Sequence, residues 1–196
     1  MIIQAKPRLF TPAEYLDREV VAEVRSEYID GEIVEMAGET TNHNEIVTNL
    51  CANLKPLLRP KNFRLFTENV RVWIEEYRVY TYPDLMVIAG NPVYQGVGTT
   101  TVVNPELIIE VSSRSTKNYD RGDKFDFYRS LDSLREYVLI EQSRCHMMQF
   151  TKTDTAQWLL TDYQDLSASM LFTTLALTVS LDDIYAGVDF ALAEAE

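Results

Sequence analysis

Two acidic residues stand inside apolar segments, where ionised side chains are rare. Asp84 opens the aliphatic part of segment 82–88, and Glu110 closes that of segment 106–111. Both segments are short and bounded by Pro, Gly or Asn, which is typical of strands buried on both faces. An ionised carboxylate there needs a partner. If the strands are neighbours, the two carboxylates can converge on a hard cation such as Mg²⁺, which takes oxygen ligands.

A lysine follows the second segment at a spacing that can return it to the same place. Residues 112–116 form a polar turn, and segment 120–128 predicts a helix. Helical spacing puts Asp120, Lys124 and Tyr128 on one face of that helix. The ammonium of Lys124 would then lie beside the carboxylates. Two acids, a cation site and a positive group are the components of metal-assisted phosphodiester hydrolysis.

The same residues resemble a known family. The matching motifs are Pro83-Asp84, segment 105–116, segment 119–124 with Tyr128, segment 135–137, segment 27–36 and His43. Their order and spacing resemble the Uma-type restriction endonuclease family of the PD-(D/E)XK nuclease superfamily, over most of the chain.

This resemblance implies a metal-dependent DNA endonuclease. With the spacing, it suggests that Mg²⁺ or Mn²⁺ is held by Asp84, Glu110 and the backbone carbonyl of Val111. Lys124 would orient or deprotonate the attacking water, or neutralise the transition state. The superfamily's lysine, two residues after the Glu, falls here on Ser112, and Lys124 resembles a migrated replacement.

Three further residues are candidates for accessory roles. Glu27 either joins the metal site or is a solvated strand residue. His43 either positions a substrate phosphate or a water, without binding metal, or is a hydrogen-bonded structural residue. Asp120 either holds Lys124 or orients the residues that bind the metal without binding it itself.

The charge balance argues against the nuclease interpretation. Lys and Arg number 18 and Asp and Glu number 30, giving a net charge of −12. Tight non-specific DNA binding depends on many Lys and Arg contacts to phosphates. A local basic rim on an acidic body is still compatible with DNA as the partner. Basic residues cluster in the sequence around the proposed site, namely Arg114, Lys117, Arg121, Lys124 and Arg129.

Two other interpretations need no catalysis. The chain could be an inactive nuclease fold that serves as an interaction module, because fold does not fix function. Alternatively, the two acids form structural ion pairs with Lys124 and Arg121, which requires no metal.

Length and composition predict the class of protein. A chain of 196 residues is long enough for one full core and too short to favour two, so we expect a single domain over 1–196. No apolar run approaches the roughly 18 residues of a membrane span, and we expect a cytoplasmic protein. Cys51 and Cys145 lack metal-type spacing and are interpreted as buried reduced thiols. A homodimer is expected, since superfamily enzymes that cut both strands commonly act as dimers and edge strands can pair.

The expected fold is α/β (α+β mixed sheet): a restriction endonuclease-like core with a central mixed β-sheet flanked by helices, an N-terminal helix and a β-hairpin. Thr11, Pro12 and Glu14 predict the start of the first helix, which runs to about Glu19. Asp30-Gly31 predicts a tight hairpin over 26–36. Asn42 is predicted to cap the second helix.

The remaining segments predict further strands and one loop. Residues 63–74 predict a single strand that pairs antiparallel with the Asp84 strand, and residues 90–104 predict a surface loop. Residues 136–140 predict a buried strand, and residues 145–151 and 157–160 predict exposed edge strands. Residues 175–179 lead into a last short helix at 181–185.

Overall fold

A six-stranded mixed sheet carries both candidate acids. The computed structural model describes residues 8–113 and 116–192. The parallel pair of the sheet is joined to antiparallel neighbours on both sides. This confirms the mixed sheet expected from the sequence. In spatial order its strands are β11 (Trp158–Tyr163), β10 (Met147–Lys152), β9 (Glu136–Glu141), β8 (Leu107–Ser112), β6 (Leu85–Ala89) and β3 (Phe63–Thr67).

A five-stranded sheet packs beside the first and contains the predicted hairpin. Asp30 and Gly31 both have positive φ, at 43° and 107°, as a tight hairpin turn requires. Its strands, in spatial order, are β2 (Glu32–Glu35), β1 (Ser26–Ile29), β5 (Val79–Thr81), β4 (Arg71–Ile74) and β7 (Thr101–Val102).

Five α-helices and a two-stranded ribbon complete the described part of the chain. The helices are α1 (Pro12–Val21), α2 (Thr41–Leu58), α3 (Lys117–Arg121), α4 (Asp123–Arg129) and α5 (Leu181–Ile184), with a 3₁₀ turn at Arg59–Lys61. The ribbon pairs β12 (Ser169–Phe172) with β13 (Leu177–Ser180). No helix in the described ranges is both long and apolar enough to cross a membrane.

The helices cover opposite faces of the six-stranded sheet. The buried face of α2, including Ile46, Leu50 and Leu54, packs in one core with residues of β6, β8 and β9. Tyr128 of α4 packs in a second core on the other face, with Ile108 and Tyr137. Helices α3 and α4 form the crossover between the parallel strands β8 and β9, which returns the chain over the site.

The first helix begins as the sequence predicts. Thr11 and Glu14 form a reciprocal capping box, with Pro12 at the first position. The second helix begins earlier than predicted, because Thr40, not Asn42, is its N-cap and accepts the amide of His43 at 3.1 Å. The side chain of Asn42 instead bonds the backbone of Asp189, a partner 147 residues away that sequence spacing cannot reveal.

The single strand predicted over 63–74 is wrong. The strand ends before Glu68, whose φ is +22°. The amide of Glu68 donates a hydrogen bond to the carbonyl of Asp84 at 3.3 Å. Strand β3 pairs antiparallel with β6, while β4 pairs with β5 in the other sheet. One apparent strand therefore serves two sheets.

The single helix predicted over 120–128 is also wrong. Gly122 separates α3 from α4, and its amide closes α3 by bonding the carbonyls of Asn118 and Tyr119. A Cβ at position 122 would lie 3.1 Å from the Asn118 oxygen, so a side chain would crowd this turn. Lys124 and Tyr128 nevertheless remain one turn apart on α4.

Smaller differences concern the loop, the edge strands and the thiols. The predicted loop over 90–104 contains β7, which runs parallel to β4. Of the two strands predicted at the edge, β10 is internal and β11 alone is an edge of its sheet. Strand β12 was not predicted. Cys51 and Cys145 are free but only half-buried.

The packing of α2 gives a prediction about stability. Leu50 is fully buried, whereas Leu57 on the same helix is 43% exposed. Leu50→Ala should lower the free energy of unfolding by about 2–5 kcal/mol, because it removes buried methyl groups and leaves a cavity. Leu57→Ala should change it by less than about 0.5 kcal/mol. Urea denaturation measures both, and equal losses would contradict this packing.

Candidate functional site

The two candidate acids lie side by side, Glu110 on β8 and Asp84 directly before the neighbouring strand β6. The β6–β8 ladder pairs Leu85 with Ile109, so Asp84 and Glu110 are the next residues beyond that pair. Asp84 Oδ2 accepts the amide of Val111 at 2.6 Å, and the amide of Asp84 lies 3.5 Å from Glu110 Oε2. Both acids are buried, at 8% and 2% exposure. The strand register therefore brings the carboxylates to one point.

Lys124 and Tyr128 both contact one oxygen of Glu110. The ammonium of Lys124 lies 3.0 Å from Oε1, and the Tyr128 hydroxyl donates to the same atom at 2.6 Å. Lys124 is also 3.7 Å from Glu27 and 3.9 Å from Asp120. With Oε1 engaged twice, Oε2 is the oxygen of Glu110 that faces Asp84.

Glu27 is linked to Glu110 by two hydroxyl groups. Thr81 Oγ1 donates a short hydrogen bond to Glu27, and the same oxygen lies 3.2 Å from the Tyr128 hydroxyl. Tyr128 in turn donates to Glu110. Glu27 on β1 is thus joined to the six-stranded sheet through the site, and is 8% exposed.

His43 lies on the other side of Asp84. Its Nε2 is 3.1 Å from Asp84 Oδ2 and 3.5 Å from Glu39 Oε2. The three side chains bring one donor atom each to within 4.8 Å of one another, a group that can hold a metal ion. Glu39 was missed by the sequence analysis. The available signal was its i,i+4 spacing to His43, hidden because Glu39 precedes the helix.

The electrostatics of the site reflect an excess of buried acid. Burial raises the pKa of Glu110 to about 8; Lys124 opposes this rise, and Asp84 and Asp120 add to it. Burial alone would lower the pKa of Lys124, but the surrounding carboxylates, led by Glu110 and Glu27, raise it well above its usual value. Lys124 therefore stays charged, and the acids around it compete for one ammonium.

The pKa values of two neighbouring groups, Asp120 and His43, are also raised. Burial raises the pKa of Asp120, partly opposed by Lys124. Burial lowers the pKa of His43, but the hydrogen bond and charge of Asp84, aided by Glu39, raise it overall. A bound cation would relieve this repulsion, so the charge balance of the site fits a metal ion.

The site opens into a cleft of about 430 Å³. Asp84, Glu110, Lys124 and His43 all line it, together with Tyr119. The carboxylates are therefore accessible to a ligand although their side chains are largely buried.

Ser112 occupies the strand position at which the family resemblance leads one to expect a lysine. Alternation along β8 puts Ser112 on the same face as Glu110. Its side chain is 2% exposed, and its Oγ has no hydrogen-bond partner among residues 8–113 and 116–192. The ammonium that lies 3.0 Å from Glu110 is that of Lys124, on α4.

The basic residues near the site are largely paired with acids. Lys117 contacts Glu141 at 2.7 Å and Arg129 contacts Asp126 at 2.8 Å. Arg121 is exposed. The remaining member of the predicted basic rim, Arg114, lies outside the described residues.

Comparisons with known proteins agree on the family. The Uma2 model, described as "Putative restriction endonuclease", matches residues 12–182. The chain belongs to the Uma2 family. Uncharacterized protein sll1609 of Synechocystis sp. (strain ATCC 27184 / PCC 6803 / Kazusa) is 38% identical over 177 residues, which cover 90% of this chain and all of that protein. Uncharacterized protein slr1290 of the same strain is 30% identical over 184 residues, covering 94% and 95%.

A crystal structure from Anabaena variabilis ATCC 29413 shares the fold. It is described as a putative nuclease belonging to DUF820, and it superimposes with a TM-score of 0.72 at 19% identity. The match covers 90% of this chain and 98% of that one. The family resemblance and the restriction endonuclease-like fold expected from the sequence are therefore confirmed.

The raised pKa of Glu110 predicts a pH dependence of stability in this Uma2 protein. The folded pKa lies above the unfolded value of about 4.5, so folding favours the protonated acid. Its contribution to stability is complete below about pH 4.5 and is lost as the pH rises through about 8. In EDTA, the free energy of unfolding should fall over this window, by up to about 1.4 kcal/mol per pH unit for one proton.

The test compares two isosteric variants. Glu110→Gln cannot titrate, so the decline between pH 5 and 8 should become shallower. Glu32→Gln, at an exposed position of β2, should keep the wild-type slope. Urea titrations at several pH values measure this, and an unchanged slope in Glu110→Gln would rule out the raised pKa.

Proposed function

We propose that the protein is a metal-dependent endonuclease that hydrolyses DNA phosphodiester bonds with Mg²⁺ or Mn²⁺. One observation carries the proposal: Asp84 and Glu110 meet at the cleft, with the Lys124 ammonium 3.0 Å from Glu110. Buried acids whose charge is not balanced by the residues around them are suited to a divalent cation.

The proposed ligands are Asp84, Glu110 and the backbone carbonyl of Val111. The Val111 amide points to Asp84, and in a strand the N–H and C=O of one residue point to the same side. A divalent cation held there would lower the pKa of a bound water and stabilise charge on the phosphate. Tyr128 and Lys124 hold Glu110 Oε1, which orients Oε2 toward the Asp84 side of the site.

Lys124 acts as a fixed positive charge in this proposal. Its raised pKa keeps it protonated, which disfavours the role of a base. An ammonium beside the reacting phosphate neutralises charge that develops in the transition state. Since Ser112 cannot supply that charge from the strand, Lys124 supplies it from α4.

The accessory residues support these groups. Glu27 and Asp120 surround the Lys124 ammonium at 3.7 and 3.9 Å and keep it at the site. His43 orients the Asp84 carboxylate from the side opposite Lys124.

DNA as the substrate rests on the family and on the chemistry of the site. The net charge of −12 predicts weak non-specific binding with few phosphate contacts, and therefore a shallow dependence of that binding on salt. The homodimer and the cytoplasmic location stay predictions.

A second candidate is a catalytically inactive nuclease fold that serves as an interaction module. The serine at position 112 and the acidic charge favour it. The two candidates differ in one outcome: an inactive module retains metal binding without cleavage of any DNA.

A plasmid-nicking assay with Mg²⁺ tests the enzyme. Asp84→Asn, Glu110→Gln and Lys124→Met should each lower the nicking rate by at least about 100-fold, because each removes a charge at the reacting phosphate. Asp182→Asn, at an exposed position of α5, should keep the wild-type rate. Circular dichroism confirms that each variant folds.

The outcomes separate the candidates. If Asp84→Asn and Glu110→Gln nick as fast as wild type, the proposed site is wrong. If Mg²⁺ raises the melting temperature of wild type and not of these variants, while no protein nicks DNA, the inactive module is correct.

A further inference from the structure

We propose that Glu39, His43 and Asp84 form a second cation site, which binds a divalent transition metal such as Mn²⁺ more tightly than Mg²⁺. The inference rests on the proposed function in one respect, because Asp84 also belongs to the Asp84–Glu110 site. Its distinctive ligand is the imidazole of His43, whose role was expected to exclude metal binding.

The spacing of the donor atoms fits a metal. Protein ligands lie about 2.0–2.2 Å from a transition metal, and ligands at about 90–110° around it are then about 3–3.5 Å apart. His43 Nε2 lies 3.1 Å from Asp84 Oδ2 and 3.5 Å from Glu39 Oε2. These two distances match two edges of such a coordination shell.

His43 can bind a metal through Nε2, the ring nitrogen that faces the two acids. Its side chain is 2% exposed, and Nδ1 has no hydrogen-bond partner in the described part of the chain. Without a metal, the Nε2 proton is hydrogen-bonded to Asp84 Oδ2 at 3.1 Å. A metal between the two acids would take the place of that proton, and the imidazole would bind it as the tautomer with its proton on Nδ1. Glu39 is half-exposed, which gives an ion a path from solvent.

A similar cluster surrounds His146, the second histidine of the chain, but there basic side chains neutralise the charge of a carboxylate. His146 also lies between two carboxylates, 2.5 Å from Glu141 and 3.0 Å from Asp162. There Lys117 and Arg144 bond Glu141 at 2.7 and 2.8 Å. These bonds and that of His146 lower the pKa of Glu141 to about 2, against the effect of burial.

No such cation accompanies the acids at His43. Within residues 8–113 and 116–192, the ion pairs of Glu39 and Asp84 are made only with His43. Two carboxylates therefore share one imidazole, and a divalent ion would supply the missing charge. The cluster at His146 needs none, because Lys117 and Arg144 already supply it.

The chemical type of the ligand atoms determines which metal each of the two sites prefers. The proposed Asp84–Glu110–Val111 site offers oxygen alone, which suits Mg²⁺. Imidazole nitrogen favours transition metals over Mg²⁺. The two sites should therefore differ in selectivity although they share Asp84.

Mn²⁺ binding to the full chain tests this without an activity assay. Wild-type protein with Mn²⁺ should show ¹⁴N coupling from a bound imidazole in pulsed electron paramagnetic resonance, and excess Mg²⁺ should displace it poorly. Glu110→Gln should retain the coupling. His43→Gln should lose it, with at least about tenfold weaker Mn²⁺ binding. His146→Gln is the matched control and should behave as wild type.

A surface variant covers the case in which His43→Gln fails to fold. Glu39→Gln alters a half-exposed side chain and should weaken Mn²⁺ binding while Mg²⁺ binding stays unchanged. Mn²⁺ bound without ¹⁴N coupling, coupling that persists in His43→Gln, or Mn²⁺ affinity unaffected by Glu39→Gln would overturn the second site. None of these bears on nicking with Mg²⁺, so the two proposals fail separately.

Discussion

The constraint on which the site depends is the burial of several carboxylates around a single ammonium. Glu110, Glu27 and Asp120 lie within 4 Å of Lys124, and none of the four is exposed. In a low-dielectric environment, one positive charge cannot balance three negative ones. Burial, with a smaller contribution from Asp84 and Asp120, therefore raises the pKa of Glu110 to about 8 in spite of Lys124. A chain selected only for stability gains nothing from this arrangement.

The strand pairing and the helical crossover hold these charged groups together. The backbone ladder between β6 and β8 fixes Asp84 beside Glu110, and the crossover from β8 to β9 returns Lys124 over them. Tyr128, from the same helix, donates a hydrogen bond to the same oxygen of Glu110 that Lys124 contacts. Each functional side chain is thus held by an element whose own packing is apolar, so the core supplies the rigidity and the polar groups supply the chemistry.

The sequence predicted what depends on local pattern and missed what depends on distant partners. Apolar runs around Asp84 and Glu110 predicted buried strands, and Asp30-Gly31 predicted the hairpin. The missed cap at Thr40 and the end of the strand at Glu68 follow from tertiary contacts, since Asn42 is engaged by Asp189 and the amide of Glu68 by the Asp84 carbonyl. No spacing along the chain encodes those contacts. The Gly122 break was readable only as a glycine within a helical pattern.

Lys124 lies on a helix, so its position is controlled differently from that of a residue on the strand of Glu110. A lysine at position 112 would share the rigid strand of Glu110, whereas Lys124 depends on the position of α4. That position depends on the turn at Gly122, where the Asn118 oxygen approaches within 3.1 Å of where a Cβ would stand. Lys124 also has three acidic neighbours to hold it, which a strand lysine would not need. Glu27 and Asp120 therefore help to hold the Lys124 ammonium beside Glu110.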